Sequence, residues 1–225
     1  RALSSRPYRK IHVRLVDNSD RPQGHANIVP YPQAEILLVP PDDGELVSSD
    51  DWLTLVFSHE LAHVIHLDKI RGTPGGLQDL FGRHPLLFPN ALQPTWGIEG
   101  FAVYWESLVN EEGRAASPWY DMLMRIEVEN GLKSLHQLNA PPYQWPRNQA
   151  YLYGSYFYLF LEDQYGRDTV FRLIREYSDN IIPFRLVSNS AQVTGKPLPE
   201  LWRQFDAWLR NRYGQQINAL KSNGL

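Results

Sequence analysis

The sequence predicts an α+β protein in which a small N-terminal β-sheet is followed by a helical lobe. Residues 1–47 carry the patterns of β-strands, and the apolar residues after them recur at helical spacing. Beyond Trp96 the chain consists almost entirely of helical segments. Strands followed by helices are typical of α+β proteins, and 225 residues are enough for one domain. We therefore expect a single domain over residues 1–225, with the sheet and its first helix in about 1–70 and the helical lobe in about 96–215.

Two strands are predicted in the N-terminal part. Residues 11–16 (Ile-His-Val-Arg-Leu-Val) alternate between apolar and polar side chains, as a half-buried strand does. Residues 36–39 form a second apolar run, which is closed by two prolines and by the turn sequence Asp-Asp-Gly at 42–44. Because proline has no N–H to donate within a sheet, Pro30 and Pro32 favour an edge strand.

The first helix is predicted over residues 52–69, which contain neither proline nor glycine. Residues 48–51 (Ser-Ser-Asp-Asp) supply capping side chains and the negative charge that is favourable at a helix N-terminus. Residues 71–95 are rich in glycine and proline, so we expect a long loop that could cover a cleft as a lid, with His84 as a solvated surface residue. Further helices are expected at about 97–110, 117–130, 149–165, 167–178, 184–192 and 199–213.

Composition and charge argue against several classes of function. The net charge is −3, from 22 basic and 25 acidic residues without a basic stripe, which argues against nucleic-acid binding. The absence of cysteine excludes disulfides, thiol nucleophiles and cysteine-bound zinc, so a metal site must use histidine and carboxylate ligands. No apolar run approaches the roughly 18 residues that a membrane span needs. Because the sequence begins at Arg1 rather than at Met, a signal peptide could have been removed, and we expect an extracytoplasmic location, periplasmic or secreted.

A short pattern on the first predicted helix carries the candidate chemistry. His59 and His63 are four residues apart, so their imidazoles project from one face of the helix and can share a metal ion. Glu60 is rotated away from that face, where its carboxylate can reach a metal-bound water without binding the metal. Catalytic zinc takes three protein ligands and keeps one position for water, which leaves one ligand to be found.

Two residues are candidates for the third ligand. His66 lies one turn beyond His63, where joining both other histidines on one ion is awkward, so we interpret it as an outer partner or a packed residue. A third histidine six residues after His63 is excluded because position 69 is lysine. Glu99 lies on a second predicted helix, and the small residues Gly100 and Ala102 would let the two helices approach closely around the ion.

The segment His59-Glu-Leu-Ala-His63, together with Trp96-x-x-Glu99-Gly-Phe-Ala-x-Tyr-x-Glu106, resembles the gluzincin zinc metallopeptidases. The similarity is greatest to the aminopeptidase N-like branch of this thermolysin-related clan and to its bacterial peptidase MA-like relatives, because Val103 stands where thermolysin itself has an acid. The resemblance implies a thermolysin-like zincin fold with the zinc site between the active-site helix and the following helix. It also implies Zn²⁺ as the cofactor, bound by His59, His63 and Glu99. By the same resemblance Glu60 is the general base, and Glu106 is an outer partner of one ligand histidine.

Residues 151–166 also resemble a family segment, in which a tyrosine three residues before a glycine donates a hydrogen bond to the developing oxyanion. By this resemblance Tyr151 is the expected donor, and Tyr153 is the second choice. Residues 194–202 resemble the C-terminal part of peptidase MA-like domains, so that the similarity extends over about residues 10–215.

One departure concerns the part of the site that would bind the end of a substrate. Aminopeptidases of this family bind the free amine with the glutamate of a Gly-x-Met-Glu-Asn strand, whereas residues 24–27 here read Gly-His-Ala-Asn. The resemblance therefore implies a metallopeptidase acting on peptides or proteins, with endopeptidase and aminopeptidase activity both open. The strand predicted at 26–39 could pair with an extended substrate backbone.

Two other functions remain compatible with these residues. One is a non-catalytic zinc-binding scaffold or interaction module, although Glu60 has no purpose in a purely structural site. The other is a hydrolase of non-peptide substrates that uses the same residues. Some bacterial relatives resemble this chain followed by a β-propeller, which would make a propeller domain in a longer chain a further partner.

Overall fold

The computed structural model describes residues 10–18, 20, 22–41, 51–110, 113–138, 145–183 and 185–223. Its architecture is α+β, with one small sheet and a predominance of helices, as the sequence predicts. The turn predicted at 42–44 and the capping residues predicted at 48–50 lie outside the described residues. No helix within the described ranges has both the length and the apolar character that crossing a bilayer requires.

The sheet contains three strands in the order β1-β3-β2, and its members are β1 (His12–Val16), β2 (Gly24–Asn27) and β3 (Gln33–Leu37). The central strand β3 pairs in parallel with β1 and antiparallel with β2. Ile36 of β3 packs against Trp52 and Val56, which belong to the first helix. The sheet is therefore held to the rest of the molecule mainly through this helix.

The interpretation of the proline-containing segment as one edge strand is wrong. Pro30 and Pro32 lie in the connection between β2 and β3, and the predicted strand over 26–39 is in fact two antiparallel strands. The ring nitrogens of both prolines carry no hydrogen, so the ladder is interrupted at these positions and resumes in β3, which lacks proline. The strand after the prolines is consequently the central one.

β1 confirms the strand predicted at 11–16, but it is not half-buried. Val13 is 45% exposed and Leu15 is 61% exposed. The first helix packs against β2 and β3, and the described residues leave the side chains of Val13 and Leu15 exposed. Alternation identifies the apolar face of a strand but contains no information on what packs against it.

The helices are α1 (Trp52–Leu67), α2 (Gly72–Phe81), α3 (Thr95–Val109), α4 (Pro118–Asn130), α5 (Leu135–Leu138), α6 (Gln149–Tyr165), α7 (Arg167–Tyr177), α8 (Leu186–Thr194) and α9 (Leu198–Ser222). Short 3₁₀ helices are found at Pro85–Leu87, Pro89–Leu92 and Arg114–Ala116. The predicted helices are confirmed with small shifts at their ends, except that α9 continues well beyond residue 213. At the start of α1, the Asp51 carboxylate accepts a hydrogen bond from the Thr54 N–H at 3.0 Å, which is the predicted type of cap.

The prediction of a long loop over 71–95 is wrong, because α2 and two 3₁₀ helices occupy most of that segment. Pro74 is the third residue of α2, where the missing N–H has no partner within the helix, so the proline does not prevent helix formation. Arg83 then binds the Asp68 carboxylate at 2.5 Å and the carbonyl oxygen of Ile28. These contacts fasten the segment to the end of α1 and to the connection between β2 and β3.

The backbones of α3 and α6 are in direct contact where the helices cross. A Cβ added at Gly100 would lie 2.4 Å from the Cα of Gly154, and one added at Gly154 would lie 2.1 Å from the carbonyl oxygen of Trp96. The expectation that Gly100 serves the approach of its helix to α1 is therefore wrong about the partner, which is α6. The crossing brings Glu99 of α3 and Tyr151 of α6 to the same cavity.

Candidate metal centre

Three side chains of metal-binding type converge where α1 meets α3. The Nε2 atoms of His59 and His63, one turn apart on α1, are separated by 3.1 Å. Oε2 of Glu99, near the start of α3, lies 3.5 Å from Nε2 of His59 and 3.2 Å from Nε2 of His63. Both histidines are buried, and the side chain of Glu99 is 20% exposed. The structure thus brings the three predicted ligands together.

These separations fit the ligand positions around a tetrahedral zinc ion. Bonds of about 2.0–2.1 Å from the metal place tetrahedral ligand atoms about 3.3 Å apart. Oε2 of Glu99 is buried without a hydrogen bond of ordinary geometry, as expected for an oxygen that binds a cation. Burial alone would raise the pKa of Glu99, but the two imidazoles lower it by more, so that the carboxylate is ionised at neutral pH. Two imidazole nitrogens and one carboxylate oxygen are a donor set that zinc accepts.

Glu106 orients the first of these histidines. It lies two turns after Glu99 on α3 and is completely buried, with Oε2 2.8 Å from Nδ1 of His59. When Nδ1 donates its hydrogen to this carboxylate, the lone pair of Nε2 is left for a metal ion. Burial would raise the pKa of Glu106, but the positive charge of Arg114 and the hydrogen bonds to it lower the pKa to about 2. The residue expected from the resemblance as an outer partner therefore has the contact that this role requires.

Arg114 pairs with Glu106 and is not among the site residues that the sequence predicts. Arg114 begins a 3₁₀ helix after α3, and its Nε lies 2.8 Å from Oε1 and its Nη2 2.9 Å from Oε2 of Glu106. Nη2 is also 2.8 Å from Nδ1 of His59, and the guanidinium lies over the ring of Tyr151, 5.4 Å from its centroid. Nothing in the local sequence pattern indicates these contacts, because Arg114 follows the end of α3 and reaches Glu106 only through the turn of the chain.

Glu60 lines the same cavity as the three candidate metal ligands and is 5% exposed. Its carboxylate rests against the backbone of β2, since a Cβ added at Gly24 would lie only 2.4 Å from Oε1 of Glu60. Burial raises the pKa of Glu60, and the neighbouring imidazoles lower it by a smaller amount. A carboxylate with a raised pKa is a better proton acceptor near neutral pH than an ordinary one.

Tyr151 lies beside the centre. Its ring is nearly parallel to that of His59, with 12° between the planes and 6.3 Å between the centroids. Burial, followed by the negative charge of Glu99, raises the pKa of Tyr151, so that its hydroxyl stays protonated at neutral pH and can donate a hydrogen bond.

Tyr153, the second choice for the oxyanion donor, is not brought to the cavity. It is completely buried, and its hydroxyl donates to the Glu127 carboxylate at 2.6 Å and accepts from the Lys133 N–H at 3.0 Å. Both hydrogen-bonding directions of the hydroxyl are therefore used inside the helical core, and the structure gives Tyr153 no contact with the candidate centre.

His66 does not join the ligands either. It is completely buried, its ring lies edge-on to that of Phe101 at 4.8 Å, and its Nε2 is 3.3 Å from Nε2 of Gln93. Burial, with a smaller effect of His63, lowers the pKa of His66 to about 3, so the ring is neutral near pH 7. This environment agrees with the interpretation of His66 as a packed residue.

A cleft of 290 Å³ opens next to the three candidate ligands. Its walls are formed by β2 with the residue before it, and by the helices α1, α3 and α6. The residues that line it are Gln23, Gly24, His25, Ala26, His59, Glu60, His63, Leu67, Ile98, Glu99 and Tyr151. Among the described residues that line it, none belongs to 71–95, so the segment expected as a lid does not cover the cleft. His84 of that segment is exposed, as expected, and its Nδ1 accepts a hydrogen bond from the Leu86 N–H at 3.3 Å.

One wall of the cleft is the outer side of β2. The Leu37 N–H donates to the Gln23 carbonyl oxygen at 3.0 Å, so the backbone groups of Gln23 point towards β3. In an antiparallel pair these directions alternate, and Gly24 and Ala26 therefore direct their N–H and C=O groups away from β3. The cleft thus contains backbone donors and acceptors beside the candidate metal centre.

Comparison with known proteins does not assign the chain to a family. Neither a protein-family model nor a solved structure matches it. A segment of 129 residues, 57% of the chain, is 31% identical to an uncharacterised protein of Treponema pallidum (strain Nichols). That segment is 11% of the relative's length, so the chain spans only about a tenth of the protein it matches. The relative's name assigns no activity, and the function must be inferred from the site itself.

Proposed function

We propose that this chain is a zinc-dependent metallopeptidase of the gluzincin type, with a peptidase MA-like, thermolysin-related fold. The observation that carries the proposal is the spacing of three side-chain atoms in an open cleft. Nε2 of His59 and Nε2 of His63 are 3.1 Å apart, and Oε2 of Glu99 lies 3.5 Å from the first and 3.2 Å from the second. The buried carboxylate of Glu60 lines the same cleft. A purely structural zinc site is normally closed by four protein ligands, whereas three ligands next to a cleft leave a position for water.

The chain supplies the groups that peptide hydrolysis needs. When bound, zinc would lower the pKa of a coordinated water and polarise the scissile carbonyl group. Glu60 would accept a proton from the attacking water and pass it to the leaving amine, a role for which its raised pKa is suited. Tyr151 donates a hydrogen bond to the oxygen on which negative charge develops, since its hydroxyl remains protonated. Glu106 keeps His59 in the orientation that binds metal.

The cleft also supports a peptide as the substrate. The outward N–H and C=O groups of Gly24 and Ala26 match those of an extended peptide, which could add to β2 as a further strand. Among the described residues that line the cleft, the only carboxylates are those of Glu60 and Glu99, and both are already used. Because neither is left to bind a free amine, we propose that peptides with blocked N-termini are cleaved as well as free ones.

The test is hydrolysis of a library of internally quenched peptides with free and blocked N-termini by the zinc-loaded chain. We expect cleavage that a chelator abolishes and added zinc restores. The Glu60→Gln variant should keep its zinc and lose at least about 10²–10⁴-fold in rate, because only the proton acceptor is removed. As a matched carboxylate control, Glu99→Gln should lose both zinc and activity.

The same experiment separates the other functions. Normal cleavage by Glu60→Gln would contradict the assignment of the general base. Stoichiometric zinc without cleavage of any peptide would favour a binding module or a hydrolase of other substrates. Failure of the wild-type chain to bind zinc would reject the metallopeptidase proposal altogether.

A further inference from the structure

Arg114 completes the hydrogen bonding of the Glu106 carboxylate. Oε1 of Glu106 accepts from Nε of Arg114 at 2.8 Å and from the backbone N–H of the same residue at 3.1 Å. Oε2 accepts from Nη2 of Arg114 at 2.9 Å and lies 2.8 Å from Nδ1 of His59. Each oxygen thus has two donors, and a carboxylate held by a bidentate arginine cannot rotate without breaking several charge-assisted hydrogen bonds.

The same guanidinium also contacts the residue on the other side of the centre. It lies over the face of the Tyr151 ring, 5.4 Å from the centroid, and that ring is in turn nearly parallel to the imidazole of His59. Cations are attracted to aromatic faces at this distance, more strongly when both are shielded from water. Arg114 is therefore in contact with side chains of three helices: His59 of α1, Glu106 of α3 and Tyr151 of α6.

We propose that Arg114 is a positioning residue of the metal centre. It fixes the Glu106 carboxylate so that Nδ1 of His59 donates to Oε2 and Nε2 faces the metal, and it supports the ring whose hydroxyl enters the cleft. The inference rests on the proposed function, because it assigns a role towards a zinc ion held by His59. Without Arg114, Glu106 would be a buried charge with a single side-chain partner, free to turn away from the imidazole.

An alternative pairing makes the opposite prediction. Nη2 of Arg114 is 2.8 Å from Nδ1 of His59, and in this alternative the arginine donates to an unprotonated Nδ1. The hydrogen would then reside on Nε2, and His59 could not bind zinc through that atom. In that arrangement Arg114 would oppose zinc binding, and its removal would strengthen it. The sign of the change in affinity therefore distinguishes the two arrangements.

The test is the zinc affinity of the metal-free chain, measured by competition with a chromogenic chelator for wild type, Arg114→Met and Arg114→Lys. Changes in the outer partners of metal ligands cost about 10–100-fold in affinity, and we expect a loss of this size for Arg114→Met. Arg114→Lys should recover part of it, because an ammonium restores the charge but cannot reach both oxygens at once. In the zinc-loaded wild type, nitrogen NMR should find the hydrogen of His59 on Nδ1, and in Arg114→Met its signal should broaden or shift.

A matched control is available on the far side of α6. Lys133 pairs with the buried Glu127 carboxylate, and its Nζ lies 5.8 Å from the centroid of the Tyr153 ring. A cation, a carboxylate and a tyrosine therefore meet here as they do around Arg114, but away from the candidate metal centre. Lys133→Met should therefore lower the stability of the fold without changing zinc affinity. Should Arg114→Met fail to fold, the comparison rests on Arg114→Lys, which keeps the charge beside Glu106 and should still bind zinc several-fold more weakly than wild type.

Three results would overturn the inference. The first is unchanged or increased zinc affinity in both Arg114 variants, and the second is an equal loss in Lys133→Met, which would indicate a general effect of stability. Either leaves the metallopeptidase proposal standing if the wild-type chain binds zinc. The third, a wild-type chain that does not bind zinc, rejects the proposed function together with the role of Arg114.

Discussion

Replacing Gly24 by alanine should displace the Glu60 carboxylate and leave the fold intact. A Cβ at position 24 would lie 2.4 Å from Oε1 and 2.7 Å from Cγ of Glu60, whereas ordinary van der Waals contact begins at 3.4 Å. The carboxylate must therefore retreat by about 1 Å, the difference between 3.4 and 2.4 Å. The side chain of Glu60 gives way rather than the backbone of Gly24, because β2 is paired with β3 along its length.

A misplacement of about 1 Å at a reacting group costs about 10²-fold in rate, or about 2.7 kcal/mol of activation free energy. We therefore expect kcat of Gly24→Ala to fall by about 10²-fold, with an unchanged zinc content and little change in Tm. The assay compares single-turnover rates on one blocked, internally quenched peptide, with zinc measured on the same samples and unfolding followed by circular dichroism.

Gly76→Ala is the matched control, since a Cβ at Gly76 has no heavy atom within 4 Å. It lies in α2, where alanine is favoured over glycine, so we expect a wild-type rate and a gain of about 0.5–1 kcal/mol in stability. A wild-type rate in Gly24→Ala would refute the argument that Gly24 determines the position of Glu60. Unfolding of Gly24→Ala would refute it as well, because the strand rather than the side chain would then have yielded.

Three further predictions concern residues around the centre. Because burial lowers the pKa of His66 from 6.5 to about 3, the unfolded chain binds the extra proton, and stability is lost as the pH falls below 6.5. In the metal-free wild type, this protonation should lower the free energy of unfolding by about 2 kcal/mol between pH 7 and pH 5. The same change of pH should cost His66→Gln about 2 kcal/mol less, measured by urea unfolding. Equal losses in the two proteins would contradict the prediction. Tyr151→Phe should lower kcat by about 10²–10³-fold and keep zinc, whereas Tyr153→Phe should lower the urea midpoint and keep kcat; the reverse pattern would exchange their roles. Gly154→Ala should destabilise the fold by about 3 kcal/mol or more in denaturant unfolding, because its Cβ meets the carbonyl oxygen of Trp96 at 2.1 Å, and a neutral result would show that the helices can separate.

Periodicity predicted the fold class and most helices, because those elements depend mainly on local apolar spacing. It also placed His59 and His63 on one face of α1, since residues four apart on a helix lie on the same side. Glu99 was one of two candidates for the third ligand, and the resemblance selected it, because no spacing rule relates the side chains of two helices joined by an intervening segment. The structure brings these residues within ligand distance of one another, and zinc binding and catalysis remain predictions.

The parts that could not be predicted depend on tertiary contacts. Glycine and proline composition made residues 71–95 resemble a loop, but the first turn of α2 tolerates proline, and Arg83 fastens the segment to its neighbours. The apolar side chains of β1 indicated a buried face that the described elements do not cover. Arg114 gave no signal, because its partner Glu106 belongs to the preceding helix and the contact exists only once the chain has turned.

The crossing of α3 and α6 limits how the width of the cleft can vary. Gly100 and Gly154 leave no side chain between the two backbones, so the spacing between the helices that carry Glu99 and Tyr151 is determined by atomic radii rather than by rotamers. That side of the cleft has a fixed width, and substitutions cannot widen or narrow it gradually. Under the proposed function, differences in the peptides accepted by related chains should therefore map to the opposite wall, where the exposed residues Gln23 and His25 lie.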